Sequence, residues 1–241
     1  MDAWVERTAL RFWEQSGEPD AFPRNMEVAV SMALPITIAK LPKLGALSAE
    51  QWFANRGTRV CWGQRDRPLR AVLFATDGDG FILLDGTDSP EEQRYSLAHE
   101  TAHFLVEYQQ PRARVVAALG RDVVDVLDGR RRATHAEAID GVLAGVDVGP
   151  HLHAMARGVD GIDAGEIAES EQRADALALE LLAPRDLATD LLCALGTSRD
   201  LVAAAEQCSM AFGLPRDISM RYVRKLRAEL DPTPSYTDWF A

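Results

Sequence analysis

The chain has 241 residues, of which 26 are basic and 37 acidic, so its formal net charge is −11. Hydrophobic residues make up 47% of the chain and charged residues 26%, a composition that excludes general disorder and predicts a folded protein with a sizeable core. The acidic balance argues against non-specific nucleic-acid binding, because such binding requires a basic surface that displaces counterions from phosphate.

Several features of the sequence predict a cytoplasmic location. The amino terminus carries no basic segment followed by an apolar one, so no secretory signal is expected. The most apolar early stretch, residues 28–47, is interrupted by Pro35 and Pro42 and is not expected to span a membrane. The three cysteines are widely spaced, odd in number and without a C-x-x-C pair, which is typical of a reducing compartment.

The amino-terminal part of the chain predicts short helices followed by strands. Ser48 and Gln51 have the spacing of a capping box, so a helix is predicted to begin at Ser48 and to end near Gly57. Helical periodicity and apolar β-forming runs predict the other elements of this part. These are helices over residues 2–16 and about 25–34, and strands at 36–38, 59–62, 70–76 and 81–85, with a hairpin turn at 77–80.

The rest of the chain predicts mainly helices. Ser89-Pro90 is a strong helix start, and that helix is predicted to run to about Tyr108 and to end before Pro111. Strands followed by helices, rather than alternating with them, predict an α+β fold with a small, mostly antiparallel sheet. Further predicted elements are helices over 112–128, 134–145, about 164–183 and 185–229, a strand over 146–156 and an irregular tail over 232–241.

The helix predicted over residues 89–108 contains the motif His99-Glu100-Thr101-Ala102-His103, or H-E-x-x-H. Residues four apart lie one above the other on a helix, so His99 and His103 can direct imidazole nitrogens at one metal ion. Glu100 projects from the adjacent flank and can reach a water at the metal without ligating the metal itself. Apolar neighbours indicate that this helix is largely buried, where imidazoles need partners. The motif therefore predicts a zinc site of the peptidase kind.

The helix predicted over 164–183 is the best source of a third protein ligand. Its inward stripe has a helical period and includes two acids, Glu171 and Asp175. An acid that faces a core is costly unless it binds a cation or a donor, so Glu171 is predicted as a metal ligand and Asp175 as an acceptor for a ligand histidine. An ion pair between Asp175 and an arginine is the alternative, and Glu166 and Glu169 are competing ligand candidates.

Three segments of the chain resemble the ImmA/IrrE metallopeptidases. They are Arg94–Leu105 with the sequence RYSLAHETAHFL, the pattern Glu171-x-x-Ala174-Asp175-x-Leu177-Ala178-x-x-Leu181-Leu182-x-Pro184, and the strand pair before the first of them. The resemblance implies a zincin-like core of the gluzincin type, in which His99, His103 and Glu171 bind Zn²⁺ and Glu100 is the general base. It also implies an enzyme that cleaves helix-turn-helix transcriptional repressors and so controls stress-response or mobile-element genes.

Two departures from the family pattern affect the expected organisation. Thr101 and Ala102 replace an aliphatic-glycine pair, and 67 residues separate His103 from Glu171, a long interval for a compact member. Residues 111–160 are therefore predicted to be an insertion. The expected division is an N-terminal helical segment over 1–44, a zinc peptidase core over 45–185 and a helical C-terminal extension over 186–241.

The predicted function is zinc-dependent hydrolysis of a peptide bond in a specific regulatory protein. Glu100 would take a proton from the zinc-activated water and deliver it to the departing amine. An oxyanion donor is also needed, and the sequence does not choose among Tyr95, Tyr108, His151 and His153. The last two would point to one face of a strand, and a surface or cleft-lining role without direct catalysis is preferred for both. The alternative function is a metal-stabilised regulatory protein that uses the peptidase fold without hydrolysis.

The segment over residues 199–229 predicts two helices with a break at Gly213-Leu214-Pro215, which is similar to a DNA-binding helix-turn-helix. Its basic residues are few and lie late in the segment, so direct nucleic-acid binding is not expected. Packing on the peptidase core or docking of a repressor is preferred. The expected partner is a protein substrate, a DNA-binding repressor, and no membrane is expected to take part.

Overall fold

The computed structural model describes residues 2–61, 66–135, 137, 146, 148–157, 165–195 and 200–230, of which 165–167 are described without side chains. Within this part the helices are α1 (Ala3–Ser16), α2 (Met26–Ala33), α3 (Ala46–Ala54), α4 (Pro90–His103), α5 (Gln110–Leu119), α6 (Val124–Leu127), α7 (Gly165–Leu182), α8 (Arg185–Ala194), α9 (Leu201–Phe212) and α10 (Arg216–Leu230). The strands are β1 (Ile36–Leu41), β2 (Leu69–Thr76), β3 (Asp79–Asp85) and β4 (His151–Ala156). The predicted tail over 232–241 and most of the helix predicted over 134–145 lie outside the described residues.

The strands of the described residues form one mixed sheet in the order β1-β3-β2-β4. β1 runs parallel to β3, whereas β2 is antiparallel to both β3 and β4. A tight turn at Asp77-Gly78, with φ of 53° and 91°, joins β2 to β3 and confirms the predicted hairpin. The fold class is therefore α+β with a small, mostly antiparallel sheet, as predicted.

The sheet separates two apolar layers because successive side chains along a strand point to opposite faces. On one face, Leu73 and Ile82 pack with Leu97 of α4 in the main core. On the other face, Val72 and Leu83 pack in a smaller cluster, which Phe53 of α3 completes. The helix with the H-E-x-x-H motif is therefore covered on one side by the sheet.

α4 begins where the sequence predicts. The Ser89 Oγ accepts the Glu92 N–H at 3.2 Å, and Glu92 Oε2 accepts the Ser89 N–H at 3.1 Å, which is a capping box. Pro90 occupies the first turn, where its missing N–H costs nothing. The start of the motif helix is therefore fixed by local chemistry.

The predicted end of the motif helix, before Pro111, is wrong. α4 continues through a π-helical segment, Phe104–Gln109, directly into α5. In this segment the Gln110 N–H donates to the Leu105 carbonyl five residues back, so the hydrogen-bond register changes just before the proline, which has no N–H to donate. The helix that carries the motif therefore extends a further turn or more beyond His103.

Three other predicted boundaries are corrected. α3 begins at Ala46 rather than Ser48, because the Ser48 Oγ accepts the Gly45 N–H at 2.9 Å from the third helical position. The strand predicted over 146–156 begins at His151, and residues 59–61 are not in a strand. The helix predicted over 112–128 is broken at Gly120, whose φ is 85°.

The main core combines residues from all parts of the chain. α1 and α2, α4 and α7, and the α9–α10 pair all contribute buried side chains to it. β4 lies in the predicted insertion and forms an edge of the sheet. The division into three segments stays a prediction. In the part of the chain that the structure describes, no helix combines the length and apolarity that crossing a membrane would require.

Gly213 provides a test of how closely the C-terminal helices approach the core. Its φ is +65°, and a Cβ there would lie 2.8 Å from Pro23 Cβ, whereas Gly17 has the same φ and no atom within 4 Å of such a Cβ. We expect Gly17→Ala to lower the free energy of unfolding by about 1–2 kcal/mol, the cost of a left-handed residue. We expect Gly213→Ala to lower the free energy of unfolding by about 1–3 kcal/mol more than Gly17→Ala does, because the new methyl group must displace its neighbours. Urea unfolding measures both, and equal losses would contradict the close approach.

Candidate metal centre

α4 carries two buried histidines on the side that packs against α7. The side chains of His99 and His103 are 2% and 0% exposed, and their Nε2 atoms lie 3.1 Å apart. Since the two residues are one helical turn apart, both rings project in the same direction. The structure therefore brings the two histidines of the motif together.

α7 brings two acids to the same place. Glu171 Oε2 lies 3.3 Å from His99 Nε2, and Glu171 Oε1 lies 3.7 Å from His103 Nε2. One turn further along, Asp175 Oδ1 lies 3.0 Å from His99 Nδ1. The predicted alternative was an arginine partner for Asp175, but the structure places this carboxylate on a histidine and on the hydroxyl of Tyr95.

β4 contributes a third histidine to the cluster. His153 Nε2 lies 2.8 Å from Glu171 Oε1, and its Nδ1 lies 2.8 Å from Glu100 Oε2. The ring stacks on His103 with centroids 3.7 Å apart. The sequence placed His153 among the oxyanion candidates and favoured a surface or cleft-lining role for it. The pairing of β4 with β2 that brings it here is a tertiary contact, which the sequence alone did not indicate.

Glu107 is a residue of this site that sequence reasoning missed. It lies in the π-helical segment after α4, and its Oε2 is 2.9 Å from His103 Nδ1. Ser170 of α7 donates a hydrogen bond to its Oε1, and His151 Nε2 lies 3.4 Å from its Oε2. The available signal was the spacing of four residues from His103, which places a carboxylate on the same helix face.

The four donor atoms that meet at this point have the separations that one metal ion needs. His99, His103, His153 and Glu171 each offer one atom, and these atoms all lie within 4.8 Å of one another. A tetrahedral site with bonds of about 2.0–2.2 Å spaces its donor atoms by about 3.3–3.6 Å. The close pairs in this cluster, at 2.8 to 3.7 Å, bracket that spacing. The cluster could therefore hold a metal ion.

Glu100 supports the same interpretation. Its side chain is 0% exposed, one oxygen lies against His153, and the other, Oε1, has no hydrogen-bond partner among the described residues. A buried carboxylate oxygen without a donor is costly. A donor held beside the cluster, such as a water, would satisfy it. The residues present therefore fit a metal site that includes a proton acceptor.

The charges of the cluster also favour a cation. Burial lowers the pKa of His99, but the hydrogen bonds that its ring donates to Asp175 and Glu171 outweigh burial and raise the pKa to about 9. Burial likewise lowers the pKa of His153, but Glu100 and Glu171 raise it to about 10. Without a metal, protonated imidazoles thus balance the carboxylates. A metal ion would take over that positive charge and release protons.

The remaining sequence candidates lie at the margin of the cluster. The buried Tyr95 hydroxyl donates to Asp175 Oδ1 at 2.7 Å, so its proton is directed away from the donor atoms. The Tyr108 hydroxyl accepts a backbone N–H of the β2–β3 turn at 2.8 Å. Of the two competing ligand candidates, Glu169 is exposed, and the side chain of Glu166 lies outside the described residues.

Residues 65–138 match the model of a protein family described as the IrrE N-terminal-like domain, Peptidase M78. The matched segment contains β2, β3 and α4 with its motif, and it ends before His153 and Glu171. Over this segment the chain is similar to the ImmA/IrrE family. The resemblance predicted from the sequence is therefore confirmed, and this family supports a peptidase function for the domain. A comparison with curated proteins finds no match.

Replacement of Glu171 tests the contribution of α7 to the candidate metal site. We expect Glu171→Gln to lower the affinity for Zn²⁺ by more than about 100-fold. Replacing a residue that only supports a ligand already lowers metal affinity by about 10- to 100-fold, and Glu171 is proposed as a ligand itself. Glu169→Gln, two residues away and exposed, is the matched control and should bind normally. Competition with a chromophoric chelator measures both affinities. Equal affinities of the two variants would contradict the assignment of Glu171.

Replacement of Glu107 tests the support of His103. The glutamine in Glu107→Gln can still accept a hydrogen bond from His103 Nδ1, but it lacks the charge that increases the basicity of the imidazole. We therefore expect the Zn²⁺ affinity to fall by about 10- to 100-fold. Thermal unfolding with excess chelator should show little change between the variant and the unaltered chain. A variant with unaltered Zn²⁺ affinity would show that Glu107 has no such role.

Proposed function

We propose that this chain is a cytoplasmic zinc-dependent endopeptidase that hydrolyses a peptide bond in a helix-turn-helix transcriptional repressor. The match to a peptidase family supports the reaction class. The observation that carries the proposal is the Oε1 of Glu100, a fully buried carboxylate oxygen next to the candidate metal cluster that has no hydrogen-bond partner among the described residues. A buried base beside a metal site is the arrangement that metal-assisted hydrolysis requires.

His99, His103 and Glu171 are the residues that would hold the ion. Two imidazole nitrogens and one carboxylate oxygen match the ligand types that catalytic zinc sites use, which favours Zn²⁺ over hard cations that prefer oxygen ligands alone. When bound, the metal would polarise the scissile carbonyl and lower the pKa of a water. Asp175 and Glu107 accept hydrogen bonds from the two histidines and so fix their orientation.

Glu100 has the geometry of a general base. Its Oε2 is held by His153, so the carboxylate cannot rotate freely, and Oε1 remains available to accept a proton from the attacking water. Burial raises the pKa of this carboxyl, but His153, His103 and His99 hold the pKa below its ordinary value. The group is therefore ionised at neutral pH and can pass the proton on to the departing amine.

The charge of the chain supports a DNA-binding protein as substrate. Such proteins carry basic surfaces that contact phosphate. The net charge of −11 on this chain complements a basic surface and would increase the rate of encounter. The cytoplasmic location is supported by the cysteines, since Cys61, Cys193 and Cys208 are all free thiols.

One observation favours a second candidate, a metal-stabilised regulatory protein that does not hydrolyse its partner. His153 stands beside the three predicted ligands, and four protein ligands are typical of structural zinc sites, whereas catalytic sites keep one position open. The two candidates differ in what Glu100 does. Only the peptidase needs its free oxygen as a proton acceptor.

Glu100→Gln distinguishes the two candidates. We expect the rate of cleavage of a helix-turn-helix repressor that the unaltered chain cleaves to fall by about 10²- to 10⁴-fold, the usual contribution of a general base. The bound zinc should be retained, because the amide oxygen of glutamine can still accept from His153 Nδ1. Glu91→Gln, at the start of the same helix, is the control and should cleave normally. Cleavage is followed by mass spectrometry, and a normal rate in Glu100→Gln would contradict the proposed base.

A further inference from the structure

The three histidines of the cluster share one arrangement. In each, Nδ1 lies against a carboxylate oxygen and Nε2 points to the common centre. The Nδ1–carboxylate pairs are His99 with Asp175 at 3.0 Å, His103 with Glu107 at 2.9 Å and His153 with Glu100 at 2.8 Å. Carboxylate partners of this kind hold the proton on Nδ1 and leave the Nε2 lone pair free for a metal.

His153 meets every geometric condition that His99 and His103 meet. Its Nε2 lies 2.8 Å from Glu171 Oε1, closer to that carboxylate than either of the other Nε2 atoms. Its ring stacks on the His103 ring with centroids 3.7 Å apart, and the donor atoms of the two rings lie within 4.8 Å of each other. The set therefore consists of three equivalent imidazoles and one carboxylate.

We propose that His153 is a fourth ligand of the metal, and that the resting site is closed by four protein donors. This inference rests on the proposed metal site. A closed site has no position for the attacking water, so hydrolysis requires His153 to leave. Because Glu100 Oε2 is held by His153 Nδ1, the departure of one side chain would open a position on the metal and free the second oxygen of Glu100 at the same time.

Among the three imidazoles of the set, His153 is the one that can move most readily. His99 and His103 lie on a helix that is packed between the sheet and α7, and their side chains are almost fully buried. The His153 side chain is 17% exposed and belongs to β4, an edge strand that pairs with β2 alone in the described sheet. Its neighbour Leu152 is also exposed. A displacement of this edge is therefore the least costly way to withdraw an imidazole from the site.

The experiment compares the full chain with His153→Ala. One measurement is Zn²⁺ affinity by chelator competition, and the other is the visible spectrum of the Co²⁺-substituted protein during titration with azide. We expect His153→Ala to bind Zn²⁺ more weakly by at least about tenfold. We also expect azide to change the Co²⁺ spectrum of the variant at concentrations that leave the unaltered protein unchanged.

Two control variants are available. His135→Ala removes an exposed histidine outside the cluster, and Leu152→Ala removes an exposed side chain from the same strand. Both should bind Zn²⁺ normally and stay insensitive to azide. If His153→Ala does not fold, the azide titration of the unaltered Co²⁺ protein decides by itself, because an open site would respond.

A Co²⁺ spectrum of the unaltered protein that responds to azide as readily as that of the variant would overturn the proposal. Normal Zn²⁺ affinity in His153→Ala would also overturn it, and would leave His153 as a bridge between Glu100 and Glu171. Neither measurement uses cleavage. If the unaltered protein shows a closed Co²⁺ site and neither it nor His153→Ala cleaves a repressor, the proposed peptidase function is contradicted while the fourth ligand is supported.

Discussion

The convergence of carboxylates on three largely buried imidazoles is the constraint on which the rest of the structure depends. Glu100, Glu107, Glu171 and Asp175 each reach a histidine of the cluster within 3.3 Å. Charges in such surroundings are costly unless opposite charge accompanies them. Protons can supply that charge, as the raised pKa values of about 9 for His99 and about 10 for His153 show. A divalent ion would supply the positive charge at a position that suits the donor atoms better than protons do, because these atoms already lie at the spacing of a tetrahedral site.

This cluster is assembled from three elements that are distant in sequence, and contacts elsewhere hold them in place. α4 is fixed to the C-terminal helices where Arg94 Nη1 donates to the Gly213 carbonyl at 2.8 Å. The end of α7 is held from both sides, since Arg24 donates to the Leu181 carbonyl at 3.0 Å and Tyr222 to the Ala183 carbonyl at 2.9 Å. The two terminal parts of the chain therefore act on the site without touching it. They restrain the separation of α4 and α7, on which the distance from His99 to the acids of α7 depends.

Local chemistry explains which features were predictable from the sequence. The capped start of α4, the hairpin and the long helix that ends before Pro184 all follow from residues adjacent in the chain. The stripe on α7 correctly indicated that Glu171 and Asp175 face inward, because helical periodicity does not depend on the partner. The path of the chain around Pro111 was not predictable, since it depends on a change of hydrogen-bond register in the preceding turn. The position of His153 was not predictable from the sequence either, because it follows from the register in which β4 pairs with β2.

A fourth ligand would reconcile the two candidate functions, which otherwise conflict. Four protein donors make a site that stabilises the fold, and three donors with a free base make one that hydrolyses. If both states exist in one chain, the observed rate is the rate of the open state multiplied by its population. A site that is open about 1% of the time would then show about one hundredth of its intrinsic activity. Such a protein could remain inactive in the presence of its substrate, and any contact that draws β4 away from α4 would activate it. Control would then lie in the position of one edge strand rather than in the supply of metal.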